Sequence, residues 1–169
     1  MANTFKKLTA LIIIATTITG CGSGQTAVTR TIKQITDGVE AESNGIKLRN
    51  VLIVKTANSE GVLVATVVNT TDDADSIVGI AIGGAVATVV AKSSELVKNK
   101  PIIFVGDSAN ADASIPVLNN NAGDRIGITF TFAKAAPVTV NALVVNGEGI
   151  YKDLVRSTLT APVEATPAP

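Results

Sequence analysis

Few residues of this 169-residue chain are equipped for chemistry, and the most distinctive group is a single sulfur atom. Cys21 is the only cysteine, histidine and tryptophan are absent, and the one methionine is Met1. That inventory excludes imidazole acid–base catalysis, serine–histidine and cysteine–histidine nucleophiles, an intrachain disulfide and zinc sites built on Cys and His. Asp72-Asp73-Ala74-Asp75, with Asn69 and Thr71 beside it, is the densest acidic group and offers oxygens to calcium. Asp72, Asp73 and Asp75 are therefore a calcium candidate. The group lacks the glycine and distal glutamate of an EF-hand loop, and acidic turn residues commonly bond back to their own backbone. Lys92-Ser93-Ser94-Glu95 places amine, hydroxyl and carboxylate side by side without a framing motif, as a charged strand edge would. Asn69-Thr70-Thr71 fits the N-glycosylation acceptor pattern. Gly79, Gly83 and Gly84 precede no helix or P-loop lysine, so they read as bends in strands. No catalytic residue is assigned, and the chain is expected not to be an enzyme.

The surroundings of Cys21 give its sulfur a role. Lys6 and Lys7 precede an apolar run from Leu8 to Ile18, followed by small residues: the three-part layout of a secretory signal. The run falls short of the roughly 20 apolar residues that a membrane-spanning helix needs. Ile18-Thr19-Gly20-Cys21 resembles the bacterial lipobox, usually Leu-Ala/Ser-Gly/Ala-Cys, with Ile18 and Thr19 departing from the commonest residues. The resemblance implies that a peptidase recognises Ile18, Thr19 and Gly20, and that residues 1–20 are removed. It also implies a diacylglycerol on the Cys21 sulfur, where each buried CH₂ contributes about 0.8 kcal/mol and two chains hold far better than one. The expected location is the extracytoplasmic face of the cell membrane, with no cofactor beyond that lipid.

Behind Cys21, residues 21–29 (CGSGQTAVT) have the composition of a flexible tether. Residues 160–169 (TAPVEATPAP) have little to bury and read as a disordered Pro/Ala/Thr tail. Residues 30–159 are expected to be one folded domain. The whole chain is 46% hydrophobic and 17% charged, with 14 basic and 14 acidic side chains, which leaves no electrostatic case for nucleic acid. Aromatic residues make up 3%, too few for stacking platforms or aromatic hot spots, so the exposed side of a sheet is expected to be a smooth Thr/Ala surface.

Within the domain the dominant period is two. Ile126, Ile128, Phe130 and Phe132 alternate with Gly127, Thr129 and Thr131, which puts large apolar side chains on one face of a strand. Val138–Val145 follows after a short link and completes a hairpin. Ile46–Lys55 and Gly61–Asn69 form a second one; the latter is apolar on both faces and reads as central. Ser76–Ile82, Ala85–Ala91, Ile102–Val105, Ala113–Leu118 and, last, Ile150–Leu159 are further candidate strands. No segment carries a sustained helical stripe. The expected fold is all-β: an antiparallel two-sheet sandwich, immunoglobulin-like or cupredoxin-like, with an up-and-down barrel as the alternative.

The order of these features carries a resemblance. The strand Ile46–Val54, a strand ending in Asn69, a loop with Asp75, then Gly123-Asp124-Arg125-Ile126-Gly127-Ile128-Thr129-Phe130-Thr131-Phe132 and a valine-rich strand look like the LpqE-like lipoproteins of actinobacteria. These are distantly similar to periplasmic copper chaperones of the PCu(A)C type. The resemblance spans about Arg30 to Val145. It implies a sandwich whose relatives hold copper(I) with histidines and methionines, soft donors suited to that ion. The comparable stretches here, near Ala87–Ala91 and Ala113–Leu118, contain neither, so no copper ligand carries over. The expected function is a membrane-anchored, non-enzymatic binding or structural module of the cell envelope, with an envelope protein or the cell wall as partner. The alternative is a metal-handling accessory protein of the same fold whose ligands have changed to oxygen.

Overall fold

A computed structural model describes residues 37–152. The leader (1–20), the tether (21–29) and the tail (160–169) lie outside the described residues, with Ile18, Thr19, Gly20 and Cys21. So do the expected outer ends of the domain at residues 30 and 159.

Both expected hairpins form. β2 (Ile46–Lys55) pairs antiparallel with β3 (Gly61–Asn69), from Ile46 opposite Asn69 to Lys55 opposite Gly61. β10 (Arg125–Phe132) pairs with β11 (Val138–Asn146). In β10, Ile126, Ile128, Phe130 and Phe132 are buried while Gly127 faces out, as a period of two dictates. β3 is central: β2 lies on one side, β8 (Ile102–Ile103) and β9 (Ala111–Ile115) on the other.

The remaining strands are β1 (Val39–Ser43), β4 (Asp75–Ile82), β5 (Ala85–Val86), β6 (Thr88–Ala91) and β7 (Glu95–Leu96). One sheet runs β5-β4-β10-β11, the other β2-β3-β9-β6, with β1 added to β2 and β8 to β3. Two chain segments belong to both sheets. Val138–Leu143 of β11 face β10, and then Val144–Asn146 run beside Ile53–Lys55 of β2. At the opposite edge Ala85 and Val86 pair with β4, and the Ala87 N–H donates to the Ile80 carbonyl at 2.9 Å. Thr88–Ala91 then turn away to pair with β9. The result is an all-β, immunoglobulin-like and cupredoxin-like sandwich, closed far enough at both edges to approach a barrel.

Local pattern and observed structure part company in a few places. The β11–β2 pair is parallel, whereas an antiparallel fold was expected throughout; side-chain alternation reports which face is buried, not the direction of a partner far along the chain. The run Ala85–Ala91 is two short strands because it changes partner at Ala87. Ile150 and Tyr151 sit in a 3-10 turn (Gly149–Tyr151) opened by Gly149 at φ +57°, not in a strand. β9 ends at Ile115 because Pro116 has no N–H to offer a ladder. β1 and β7 were not anticipated. β1 turns into β2 through Asn44 and Gly45, both at positive φ (48° and 77°), the conformation a two-residue hairpin requires.

Leu48, Val51 and Ile53 of β2, Leu63 and Val67 of β3, and Ile128 and Phe130 of β10 have no exposed surface and form the centre of the core. Phe104, just past β8, joins them and donates its N–H to the Ala65 carbonyl at 3.1 Å.

Candidate functional site

Two places on the sandwich gather polar or open surface. The first lies where β3 passes into β4. Asn69, the last residue of β3, is completely buried, so its amide must be satisfied internally. Its Nδ2 donates to the carbonyls of Asp73 (2.7 Å) and Leu96 (2.8 Å). Its Oδ1 accepts the Thr71 N–H (2.9 Å) and hydroxyl (2.8 Å). Asn69 therefore winds the loop around itself as an Asx turn. The glycosylation pattern Asn69-Thr70-Thr71 is a structural hub, its amide nitrogen buried and twice bonded.

Asp75 opens β4 and reaches the β10–β11 loop. Its Oδ1 accepts the N–H groups of Ser76 (2.7 Å) and Lys134 (2.9 Å), and its Oδ2 that of Ala135 (2.8 Å). Burial alone pushes the carboxyl up; the N–H groups of Ala135, Ser76 and Lys134 outweigh it and hold it below the ordinary aspartate value. The Lys134 ammonium donates to the Ala74 carbonyl at 2.6 Å. A cleft of about 280 Å³ lies over this junction, with Asn44, Thr71, Asp73 and Asp75 in its wall.

The three aspartates singled out in the sequence are not brought together. Asp72 is exposed and paired with Lys98 at 2.6 Å, Asp73 is exposed, and Asp75 is committed to backbone N–H groups. Among the described residues no group of three or more His, Cys, Asp or Glu side chains is placed to hold a metal ion. Lys92, Ser93, Ser94 and Glu95 make the turn into β7. The Ser93 hydroxyl oxygen accepts the Glu95 N–H at 3.0 Å, and the Ser94 carbonyl accepts the Ile77 N–H at 2.9 Å. The partners of Asp75 were missed because nothing local in Lys134-Ala135 announces them. Asn69 was legible as a turn residue but not as the hub.

The second place is a window of about 280 Å³ in the side of the sandwich, where the chain passes from β5, paired with β4, to β6, paired with β9. The Ala87 N–H donates to the Ile80 carbonyl at one end, next to the β4–β5 pairs, and the Ile77 N–H to the Ser94 carbonyl at the other, next to the β4–β7 pairs of Asp75 with Leu96 and Ser76 with Glu95. Ile77, Val78 and Gly79 line one side, and Val89, Val90 and Ala91 the other. Of the two stretches that the resemblance made comparable, near Ala87–Ala91 and Ala113–Leu118, Thr88 and Val89 lie opposite Ser114 and Ala113 at this edge, whereas Ile115 pairs with Gly61 of β3. The side chains of β6 and β9 are Thr, Val, Ala, Asp, Ser and Ile, with no imidazole, thiol or thioether among them.

No protein-family model and no curated protein matches the chain. Solved structures do. The chain is similar to the copper-bound PCuAC domain from PmoF2, at 18% identity and a TM-score of 0.54, over 64% of this chain and 98% of that one. The apo PCuAC domain from PmoF1 matches at 17% identity and 0.54, over 64% and 99%. The apo PmoF2 PCuAC domain matches at 16% and 0.53, over 66% and 98%. At these identities the likeness is one of fold.

Proposed function

We propose that this chain is a lipid-anchored, extracytoplasmic and non-enzymatic binding module of the cell envelope, built on a PCuAC-type sandwich and not used to carry copper(I). One observation carries the reading: the fold is that of copper-chaperone domains, while the chain holds no histidine, one methionine at residue 1 and one cysteine at residue 21. Copper(I) selects thioether, thiolate and imidazole, and the β6–β9 edge presents hydroxyls, methyls and one carboxylate in their place. The lipobox-like Ile18-Thr19-Gly20-Cys21 supports the anchor and, with the sequence resemblance, an LpqE-like lipoprotein. Isothermal titration of residues 22–169 with copper(I) tests the central point. Binding at or below micromolar Kd would overturn the reading; no heat supports it.

The fold likeness itself favours a second reading, a metal-handling protein with oxygen ligands, for which Asp73 and Asp75, in the wall of one cleft, are the donors to try. Titration with calcium decides between them: saturable binding abolished by Asp73→Asn would favour the second.

A further inference from the structure

The chain contains two Asn-Gly steps, Asn44-Gly45 and Asn146-Gly147. Such pairs are among the most labile amides in a polypeptide, because glycine puts no side chain in the way when its nitrogen turns onto the neighbouring side-chain carbonyl carbon. Both asparagines are exposed, so sequence and solvent access do not tell them apart. The fold does. The Gly147 N–H donates to the Lys55 carbonyl at 2.9 Å, and Asn146 before it is held opposite Lys55 in the parallel β11–β2 pair. The nitrogen of that step is engaged and its backbone is fixed in a strand. Asn44 and Gly45 are instead the two residues of the tight turn between Ser43 and Ile46. Among the described residues nothing accepts the Gly45 N–H; the hydrogen bonds of Gly45 are at its carbonyl, from the Thr70 N–H (3.0 Å) and hydroxyl (2.7 Å). The Asn44 side chain meets the Ser43 hydroxyl at 3.1 Å through its oxygen, which leaves Cγ open. Asn58-Ser59, a further labile pair, is tied as well, since the Ser59 N–H donates to the Thr56 carbonyl at 2.9 Å.

We infer that Asn44-Gly45 is a self-modifying step: in the folded protein water converts Asn44 to an acid, and the change loosens the pole of the sandwich that carries the Asn69–Asp75 cleft. The Gly45 nitrogen, losing its proton to solvent, bonds to Asn44 Cγ. The Cγ–Nδ2 bond breaks, and Nδ2 takes a proton from water and leaves as ammonia. Water then opens the five-membered imide. Cleavage of its nitrogen–Cγ bond gives aspartate; cleavage of its bond to the main-chain carbonyl carbon gives isoaspartate, whose backbone runs through Cβ and Cγ. Nothing is oxidised or reduced, and water is the only co-reactant. Isoaspartate adds one carbon to a turn whose φ angles of +48° and +77° belong to a two-residue loop. That turn is stitched to two other loops, by the Ser43 hydroxyl on the Ala136 carbonyl at 2.9 Å and by Thr70 on Gly45. Asn44 also lies in the wall of the cleft with Asp73 and Asp75, so either product adds a negative charge beside two carboxylates. Both effects act against the native arrangement.

The test ages the solubilised full chain in mildly alkaline buffer made with oxygen-18 water, folded and in parallel in urea, and reads tryptic peptides by mass spectrometry. Residues 34–47 report Asn44, and residues 135–152 report Asn146. Fragmentation by electron transfer separates isoaspartate from aspartate. In the folded protein Asn44 should convert about tenfold faster than Asn146 or more, since Gly147 must first give up a hydrogen bond and Asn146 its place in the ladder. In urea the two rates should converge. Asn146 keeping pace with Asn44 in the folded chain, or an unchanged ratio in urea, would overturn the site. Thermal unfolding reads the consequence. Its midpoint should fall as Asn44 converts and hold steady in Asn44→Gly, which keeps a turn-forming pair and has no side-chain amide to lose. An equal fall in that variant, or no fall in the unaltered chain, would overturn the loosening.

Discussion

Asp75 Oδ2 accepts the Ala135 N–H at 2.8 Å across 60 residues of sequence, and so fastens the start of β4 to the loop between β10 and β11. With Ser76 and Lys134 on its other oxygen, this carboxylate satisfies three N–H groups at one pole of the sandwich. Asp75→Asn turns one acceptor into a donor facing an N–H, and should cost about 2 kcal/mol or more at neutral pH. Because the folded carboxyl is held below the unfolded one, its contribution is complete above the ordinary value of 3.8 and disappears as pH falls through the lowered folded value. Urea unfolding should show the variant's deficit shrinking as pH falls from the ordinary value of 3.8 through the lowered folded value. A deficit that never shrinks as the medium is acidified would refute the assignment.

Asn69→Ala should be more damaging than its size suggests. It strands the buried carbonyl of Leu96 and removes the acceptor for the Thr71 N–H and hydroxyl. A loss of about 2–4 kcal/mol is expected, since each buried group left unpaired costs about 1–3 kcal/mol. Asn69→Asp should fail to rescue, because a carboxylate cannot donate to Asp73 and Leu96. The midpoint of thermal unfolding measures both.

Gly45 sits at φ +77°, and a Cβ there would also collide with the Thr71 methyl. Gly45→Ala should therefore destabilise by about 1–3 kcal/mol, combining backbone strain with the clash. Gly84, at φ +84° with open space around it, should lose only the strain component as Gly84→Ala. Equal losses at the two positions in chemical denaturation would show that the Thr71 contact contributes nothing.

Cys21→Ser removes the sulfur that the lipobox-like sequence offers to a diacylglycerol. On the proposed reading, partition of the protein into the membrane fraction should fall from nearly complete toward the level of a soluble control. Retention at the original level after carbonate washing would exclude the anchor.

The strongest local signals were legible in the sequence. The alternation in Arg125–Phe132 and the both-faced apolar run Gly61–Asn69 reappear as a one-face-buried strand and a central strand, because burial is what selects those residues. Asn44-Gly45 carried the signature of a tight hairpin, so β1 could have been found from it. The parallel joint of β11 with β2 and the capture of Asp75 by Lys134 and Ala135 were not legible. Both are decided between residues tens of positions apart, where no local period operates. That Met1 and Cys21 are the chain's only sulfur donors needed no structure, whereas the row from Val86 through Ala81 and Thr129 to Thr139 appears only once three strand registers are fixed.

The joint between Val144–Asn146 and Ile53–Lys55 also bears on when this domain can become folded. Its strands are separated by most of the described chain, and closing so long a loop is slow. A chain synthesised N-terminus first can zip β2 onto β3 early, but its seam stays open until Asn146 has emerged. Closure must therefore wait for the last described strand, and a chain stalled before that residue should be a species that proteases digest.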